Sequence, residues 1–414
     1  MSAKKKIRRF RIFPKGVWLK VLWFMNFIAT IVFMALMTLV NAFPAQLTMY
    51  ILIAVFAILI PTQILLSLRT VTRIPRIIGI ILSIIFITVI SLGSYYLYST
   101  FSVFSRIGGD EQASTGFDLR NEPYNVYFTG IDQWDSEKGK DLERSDVNMI
   151  ATVNPVTKRI LLTSIPRDAY VPLAKNEEMD KLTHTGIYGV DETIGTVEGW
   201  LDIDLRYYVK VNFSGVVGVI NAIGGIDVYS PEAFTPEKRP WWSVKKGWNH
   251  MSGKEALAFA RERHALKKGD ASRVLNQQRV VKGIITKMTT SSELITSYSD
   301  LLKVAEKNVK TNMTRREMIT LAKSEMMNIG GWEIETQAFD GEYGQETVAS
   351  LSSANKYSVF KVDEKSIKKC LAKMDEIMNP DEETVAKIEE ERYEAQQSSM
   401  LTSFFKALIP SKKN

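Results

Sequence analysis

The sequence predicts a mixed α/β domain carried on three transmembrane helices, and three observations support that reading. Residues 1–100 hold three long apolar runs, at roughly 17–40, 46–68 and 77–98, each long enough to cross a hydrocarbon core of about 30 Å. Beyond residue 120 the apolar runs shorten to strand length and alternate with helical patterns, the order of a mixed α/β sandwich. Charge divides at the same place. The net charge is +7, but the first hundred residues hold eleven Lys and Arg and no acid; removing those eleven from the 53 bases leaves 42 against 46 acids, a balance of −4.

The basic residues around the anchor orient it. A leader over 1–16 contains Lys4, Lys5, Lys6, Arg8, Arg9, Arg11 and Lys15. The first loop, NAFPAQLT (41–48), is uncharged, and the second carries Arg69, Arg73 and Arg76. The positive-inside rule then puts the N-terminus and the second loop in the cytoplasm and delivers everything after about residue 100 to the outer face. Three consecutive spans over 17–98, with no cleavage site after a short apolar core, read as a retained multi-pass anchor in the cell membrane rather than a signal peptide. A nucleic-acid reader needs its basic surface on the soluble domain. The acidic balance there argues against that class.

Reading outward, 99–121 is expected to be an extracellular linker, with Gly108, Gly109, Ser114 and Gly116 among polar residues. NVYFTGI (125–131) reads as a buried strand ending at Asp132. DVNMIATVNP (146–155) alternates as a strand, and NPVTK turns the chain into KRILLTSIP (158–166), a third. VEGWLDI (197–203) is helical, RYYVKVNF (206–213) a strand, SGVVGVINAI (214–223) a helix and IDVYS (226–230) a strand. Ser252 and Glu255 form a capping box for a helix ending near Arg261 and Arg263. A further helix starts near Asp270 or Ser272 and sets Arg273 and Gln277 four residues apart on one face. Helices follow at 299–310, 313–328 and 363–378, and the charged tail 381–397 reads as helical and solvated. We divide this region into a domain over 122–340 and a partly helical extension over 341–414. Cys370 stands alone, so no intrachain disulfide forms. His184, His250 and His264 lie in no zinc-ligand spacing and read as structural.

Between residues 130 and 279, short polar runs interrupt the apolar ones: GID (130–132), RSD (144–146), SIPRD (164–168), FARERH (259–264) and SRVLNQQR (272–279). Arg144, Arg167, Arg261, Arg263 and Arg273 sit beside turns or helix ends. A guanidinium is always charged, and its planar fork grips two phosphate oxygens at once. Aspartates among such arginines point to a hard cation, Mg²⁺ or Mn²⁺, shared with a phosphorylated substrate. Singly, each residue has a plainer reading. Arg144 and Asp146 fit a surface ion pair, and Arg261 and Arg263 fit charges at a helix C-terminus. Arg273 and Gln277 fit a solvated face, Lys181 an ordinary surface lysine, and Asp168 a partner of Arg167. The joint order of the runs is what points to phosphate chemistry.

That order, with KLTH (181–184) between SIPRD and FARERH, resembles the LytR-CpsA-Psr family of cell-envelope proteins over roughly residues 120–290. The three-span anchor is similar to that of several members. The resemblance implies a central mixed sheet flanked by helices on both faces and a long apolar pocket for a polyprenyl chain. It also implies a phosphotransferase (EC 2.7.8 type) moving a glycopolymer, teichoic acid or capsular polysaccharide, from undecaprenyl pyrophosphate onto peptidoglycan. On this resemblance Asp132 and Asp146 hold Mg²⁺. Arg144, Arg167, Lys181, Arg261, Arg263, Arg273 and Gln277 hold the pyrophosphate, and Arg144, Asp146, Arg167, Arg261, Arg263 and Arg273 carry catalysis. KLTHTGIYG stands where relatives often carry KINHAYAYG, so Thr183 and Thr185 depart from the common form. The alternatives are a non-catalytic sensor or transcriptional attenuator that binds lipid-linked precursors, and a pyrophosphatase that passes the sugar phosphate to water.

Overall fold

The computed structural model describes residues 13–68, 74–111, 117–132, 144–267, 269–290, 294–327, 331–351, 355–388 and 390. Leader residues 1–12, Arg69 and Arg73 of the second loop, and the tail beyond 390 lie outside them; of the helix expected at 381–397, residues 382–388 are helical. The chain forms two compact units, Met1–Arg106 with Thr314–Asn328, and Ile107–Met313 with Ile329–Asn414.

In the first unit, α1 (Val17–Val40), α2 (Ala45–Ser67) and α3 (Ile74–Ile107) are each long and apolar enough to cross a membrane. Two of their side-chain amides donate across the bundle, as apolar surroundings favour: Asn26 Nδ2 donates to Ser83 Oγ at 2.9 Å, and Gln63 Nε2 donates to the Trp23 carbonyl at 3.1 Å. α3 outruns its apolar core. Residues 99–107 contain no glycine or proline to stop the helix, so the linker expected from residue 99 begins only at Gly108. The helix expected at 313–328 also departs from its assigned place. As α10 (Arg315–Met327) it belongs to the anchor unit, not to the domain drawn over 122–340. Ile319 packs into the cluster built on Phe33, Met37 and Leu97, and Lys323 Nζ donates to Asn41 Oδ1 at 3.1 Å.

The second unit is built on a six-stranded mixed sheet in the order β10-β3-β2-β1-β6-β9. Its strands are β1 (Tyr124–Ile131), β2 (Ser145–Asn154), β3 (Arg159–Ile165), β6 (Tyr207–Asn212), β9 (Val309–Thr311) and β10 (Glu333–Ala338). β1 runs parallel to β6 and β3 to β10, while β2 is antiparallel to both β1 and β3. The carboxyl ends of β1, β3, β6 and β10 therefore share one edge with the start of β2.

One face of the sheet carries Tyr127, Ile150, Leu161 and Ile165, which are buried against α5 (Val190–Leu201) and α11 (Glu364–Met378). This corrects the boundary drawn at 341. Cys370, Met374 and Ile377 of α11 lie in that core, Asn154 Nδ2 donates to the Ile377 carbonyl at 2.8 Å, and Arg159 bridges Glu335 and Glu376 at 2.7 and 3.0 Å. Segment 341–378 is an integral part of the domain. Within it β11 (Gly341–Glu346) pairs with β12 (Tyr357–Val362).

The opposite face meets α6 (Phe213–Ala222), and a second core joins α6, α7 (Gly253–Arg261) and α8 (Asp270–Thr290) to the hairpin β7 (Ile226–Ser230) and β8 (Gly247–Met251). Gly253 starts α7 where a Cβ would lie 2.2 Å from the Val217 carbonyl oxygen, so only glycine permits this approach to α6. The capping box is present: the Ser252 N–H donates to Glu255 Oε2 at 2.8 Å. α9 (Leu294–Asn308) packs on α6. A short hairpin, β4 (Tyr170–Pro172) with β5 (Met179–Lys181), leads into the single turn α4 (Leu182–Thr185).

Candidate active site at the carboxyl ends of the central strands

In open α/β sheets, ligands bind where strands end and connections diverge. Here that edge gathers the runs GID, RSD, SIPRD and FARERH. β1 ends at Ile131, so Asp132 projects from its tip, and Arg144, exposed, immediately precedes β2. Gly130 pairs with Val147 and Ile131 with Ser145, which leaves Asp146 as the extra residue of a β-bulge. A bulge re-aims a side chain at the end of a ladder. Asp146 Oδ1 accepts from Arg167 Nη1 at 2.7 Å.

Arg167 reaches that position because Pro166, with no N–H, ends β3. The Ala169 N–H donates to the Pro166 carbonyl to make the turn. The turn is braced on two sides. The Thr183 and Leu182 N–H groups donate to the carbonyls of Arg167 and Ala169 at 2.9 and 2.8 Å, and the Phe360 N–H of β12 donates to the Asp168 carbonyl at 2.7 Å. The hairpin register sets Lys181 opposite Tyr170, and Lys181 Nζ meets Asp168 Oδ1 at 3.2 Å. Asp168 Oδ2 lies 3.6 Å from Arg167 Nε. Asp146, Arg167, Asp168 and Lys181 thus form one continuous chain of charges.

A second pair lies at the tip of β1. Arg261, the last residue of α7, lies over the Phe213 ring at 4.8 Å and reaches Asp132 Oδ1 at 3.7 Å. Phe213 follows β6, whose end is paired with the end of β1 through Ile131 and Asn212. Glu262 fixes the turn beyond. Burial raises its pKa, but N–H groups from Ala265, Glu237, Arg263 and His264 outweigh burial and hold the carboxyl below its ordinary range. Arg263 is exposed in that turn, where Nε donates to His264 Nε2 at 3.0 Å. Arg273 and Gln277 are half-buried, one turn apart on α8. The structure therefore joins Asp132 with Arg261, and Asp146 with Arg167 and Lys181, while Arg263 turns to His264.

Behind this edge the sheet face that meets α6 is unusual. Val126, Phe128, Val147, Ala151 and Val209 all lie on it by register, at the centre of the sheet, yet each is only half-buried. An apolar strip that its covering helices leave partly open runs back from the charges.

A profile of the LytR_cpsA_psr family matches residues 95–376. The chain belongs to that family. A LytR-CpsA-Psr protein of Bacillus licheniformis, called polyisoprenyl-teichoic acid–peptidoglycan teichoic acid transferase TagU, is 33% identical over 316 residues, covering 73% of this chain and 96% of the relative. The crystal structure of B. subtilis TagV matches with a TM-score of 0.52 at 30% identity, over 63% of this chain and 99% of TagV. A structure described as TagT bound to LIIa-WTA matches with a TM-score of 0.51 at 26% identity, over 66% of this chain and 98% of TagT.

In this LytR-CpsA-Psr domain, several positioning residues escaped the sequence reading. Gln278, rather than Gln277, is the buried glutamine of the pair on α8: its Nε2 donates to the Gln337 carbonyl of β10 and, at 3.4 Å, to the Leu162 carbonyl of β3. Asn276 donates to the Phe259 carbonyl at 3.3 Å and accepts from Arg279 at 2.7 Å, tying α8 to α7. Asp180 is fully buried and accepts from the N–H groups of Lys181 and Ser350 at 2.7 and 2.8 Å, with His184 Nδ1 at 2.8 Å. Burial pushes its pKa up, but the bonds from His184, Ser350 and the backbone prevail and hold it below the usual carboxylate range. Ser350 and Asp180 address the same ring nitrogen of His184, so the trio is a brace and not a nucleophilic relay, which needs both nitrogens. Thr185 Oγ1 donates to the Leu182 carbonyl and meets Thr193 Oγ1 at 2.8 Å, so the departure from the common loop sequence is satisfied internally.

Proposed function

We propose that this protein is a membrane-anchored transferase that moves a glycopolymer from a polyprenyl-pyrophosphate carrier onto peptidoglycan. The polymer is a teichoic acid, the class named for the relatives, and the carrier lipid is undecaprenyl. The observation that carries this reading is the juxtaposition of a charged edge with an apolar strip: Asp132, Arg144, Asp146, Arg167, Lys181 and Arg261 at the strand ends, and the half-buried Val126, Phe128, Val147, Ala151 and Val209 behind them. A lipid pyrophosphate has the same two parts.

The chemistry follows from the residues. An acceptor hydroxyl attacks the sugar-proximal phosphorus, and the bond to the departing polyprenyl phosphate breaks. Charge grows on phosphoryl oxygens and on the leaving group, so catalysis consists of positioning and electrostatic stabilisation. Arg167 is aimed by Asp146, and a guanidinium has five donors, so that pair is compatible with a grip on phosphate. Arg261 is held flat by Phe213. Arg144, Arg263, Arg273 and Gln277 complete the cradle on the strand end, the turn and α8. Asp132 and Asp146 supply oxygen donors from neighbouring strand tips. That donor set suits Mg²⁺, which takes one or two carboxylates and completes its shell with phosphate and water. When bound, the ion would neutralise phosphoryl charge.

We place the N-terminus in the cytoplasm and the second unit outside. In support, α10 touches both the first loop and the end of α3: Lys323 bonds Asn41, and the Arg315 guanidinium lies 4.1 Å from the Phe101 ring centre. Those two regions share one side of a three-span anchor.

The test is a transfer assay. Full-length protein in detergent is mixed with a short polyprenyl-pyrophosphate glycan, peptidoglycan oligomers and Mg²⁺, and mass spectrometry looks for a phosphodiester-linked product. Product that requires both Arg261 and divalent metal supports the proposal. Tight donor binding without product, alongside an active relative, would replace it with a sensor; release of sugar phosphate to water would replace it with a pyrophosphatase.

A further inference from the structure

The anchor unit contains a cavity of about 850 Å³ beside α2. Its wall is Met49, Leu52, Ile53 and Phe56, spaced i, i+3, i+4, i+7 on one helical face, and its rim is polar, formed by Asn41 and Lys323. The wall and the rim suit different parts of one ligand. Met49, Ile53 and Phe56 are exposed apolar side chains on a helix long enough to span a membrane, so a hydrocarbon chain is their natural neighbour. Met49 to Phe56 rises roughly 10 Å along the helix axis, against about 15 Å for half of a hydrocarbon core of about 30 Å. The groove is thus one leaflet deep. At its mouth stands an ammonium group, oriented by its 3.1 Å bond to Asn41.

We propose that this groove binds an anionic phospholipid of the outer leaflet, one acyl chain lying along α2 and the phosphate beside Lys323. Charge complementarity selects an anionic head group over a zwitterionic one. The single-leaflet depth, and Lys323 as the one cation among the described lining residues, favour a phospholipid over the much longer polyprenyl pyrophosphate. The site is built from residues of the anchor unit alone, and its occupancy does not depend on the transfer reaction.

The experiment titrates detergent-solubilised full-length protein with dioleoyl phosphatidylglycerol, dioleoyl phosphatidylcholine and undecaprenyl phosphate, and counts bound lipid by native mass spectrometry. The wild type is expected to retain phosphatidylglycerol about fivefold over phosphatidylcholine, the preference one interfacial cation supplies. Lys323→Gln should abolish the preference and Lys323→Arg restore it. Leu52→Trp should reduce both phospholipids by filling the wall. Equal retention of the two phospholipids by the wild type, or a preference unchanged in Lys323→Gln, would overturn the assignment. Undecaprenyl phosphate displacing phosphatidylglycerol in a Lys323-dependent way would also overturn it, making the groove part of the donor's route. The Arg variant separates loss of the lipid contact from loss of fold, since it retains the charge and a donor for Asn41 Oδ1.

Discussion

Asp146 and Asp180 lie 34 positions apart in the same domain, and their surroundings are opposites. Asp180 is 0% exposed and saturated, with donors from Lys181, Ser350 and His184 on its two oxygens. Asp146 keeps 28% of its side chain exposed on a β-bulge, with Arg167 beside it. Glu262 (5% exposed) repeats the first pattern with four backbone donors, and Asp132 (64% exposed) repeats the second with Arg261. A buried carboxylate must have its bonds filled to be tolerated. One that works on a ligand must remain reachable. The comparison separates carboxylates that hold the site's shape from those that face the substrate, although all four lie within or beside the same charged runs.

Substitutions can break this comparison from either side. The largest effect is expected from Arg167→Ala, which should lower the transfer rate by roughly 10²- to 10³-fold, the cost of removing one preorganised donor to a developing oxyanion. Its melting temperature should stay near wild type, because the pair it breaks is partly exposed; parallel rate and melting measurements check both. Asp180→Ala should do the reverse. It strands a buried histidine and two N–H groups and should cost about 3 kcal/mol in denaturant unfolding. Its effect on transfer should be confined to the fraction unfolded.

Glu262→Gln comes next, at about 1–2 kcal/mol, since one amide oxygen accepts more weakly from the N–H groups of Arg263, His264 and Ala265, and the amide NH2 cannot accept from the Glu237 N–H on the other side. Asp180 and Glu262 both have folded pKa values below their unfolded ones of about 3.9 and 4.3. Their stabilisation is therefore complete above those unfolded values and disappears as pH falls through the lower folded values. Wild-type protein should lose stability below about pH 4, and the Asp180→Asn, Glu262→Gln double variant should show a flatter acid limb in thermal melts. The smallest change in stability is expected from Arg263→Ala, within about 0.5 kcal/mol. A transfer loss as large as that of Arg167→Ala would show that its exposed turn closes on the substrate.

The parts of the fold legible in sequence were those that repeat a local rule. The three apolar runs, the strands at 125–131, 146–155 and 158–166, the Ser252–Glu255 box and the helix opening near Asp270 or Ser272 are local patterns, and each element is present. Local patterns do not say where an element packs. Segment 315–327 has a helical sequence but gives no sign that Ile319 packs beside Phe33 and Met37. Residues 341–378 looked like an appendage because the contacts of α11 with β2 and β3, such as Asn154 to Ile377, span more than 200 residues. The site was legible as an ordered set of motifs, yet its two kinds of carboxylate were not. Asp180 sits beside Lys181 with nothing local to reveal that Ser350 completes it. Gln277 and Gln278 are chemically identical neighbours, and only the helix's rotation against β3 and β10 decides which is buried.

The central claim is that one edge takes the pyrophosphate and the half-open apolar strip takes the polyprenyl chain. The most direct measurement is a structure of the full-length protein with a polyprenyl-pyrophosphate sugar bound. Phosphate oxygens are expected on Arg167 and Arg261, with the chain running past Phe128 and Val147. Pyrophosphate bound elsewhere, with Arg167 still on Asp146 and the strip empty, would contradict it.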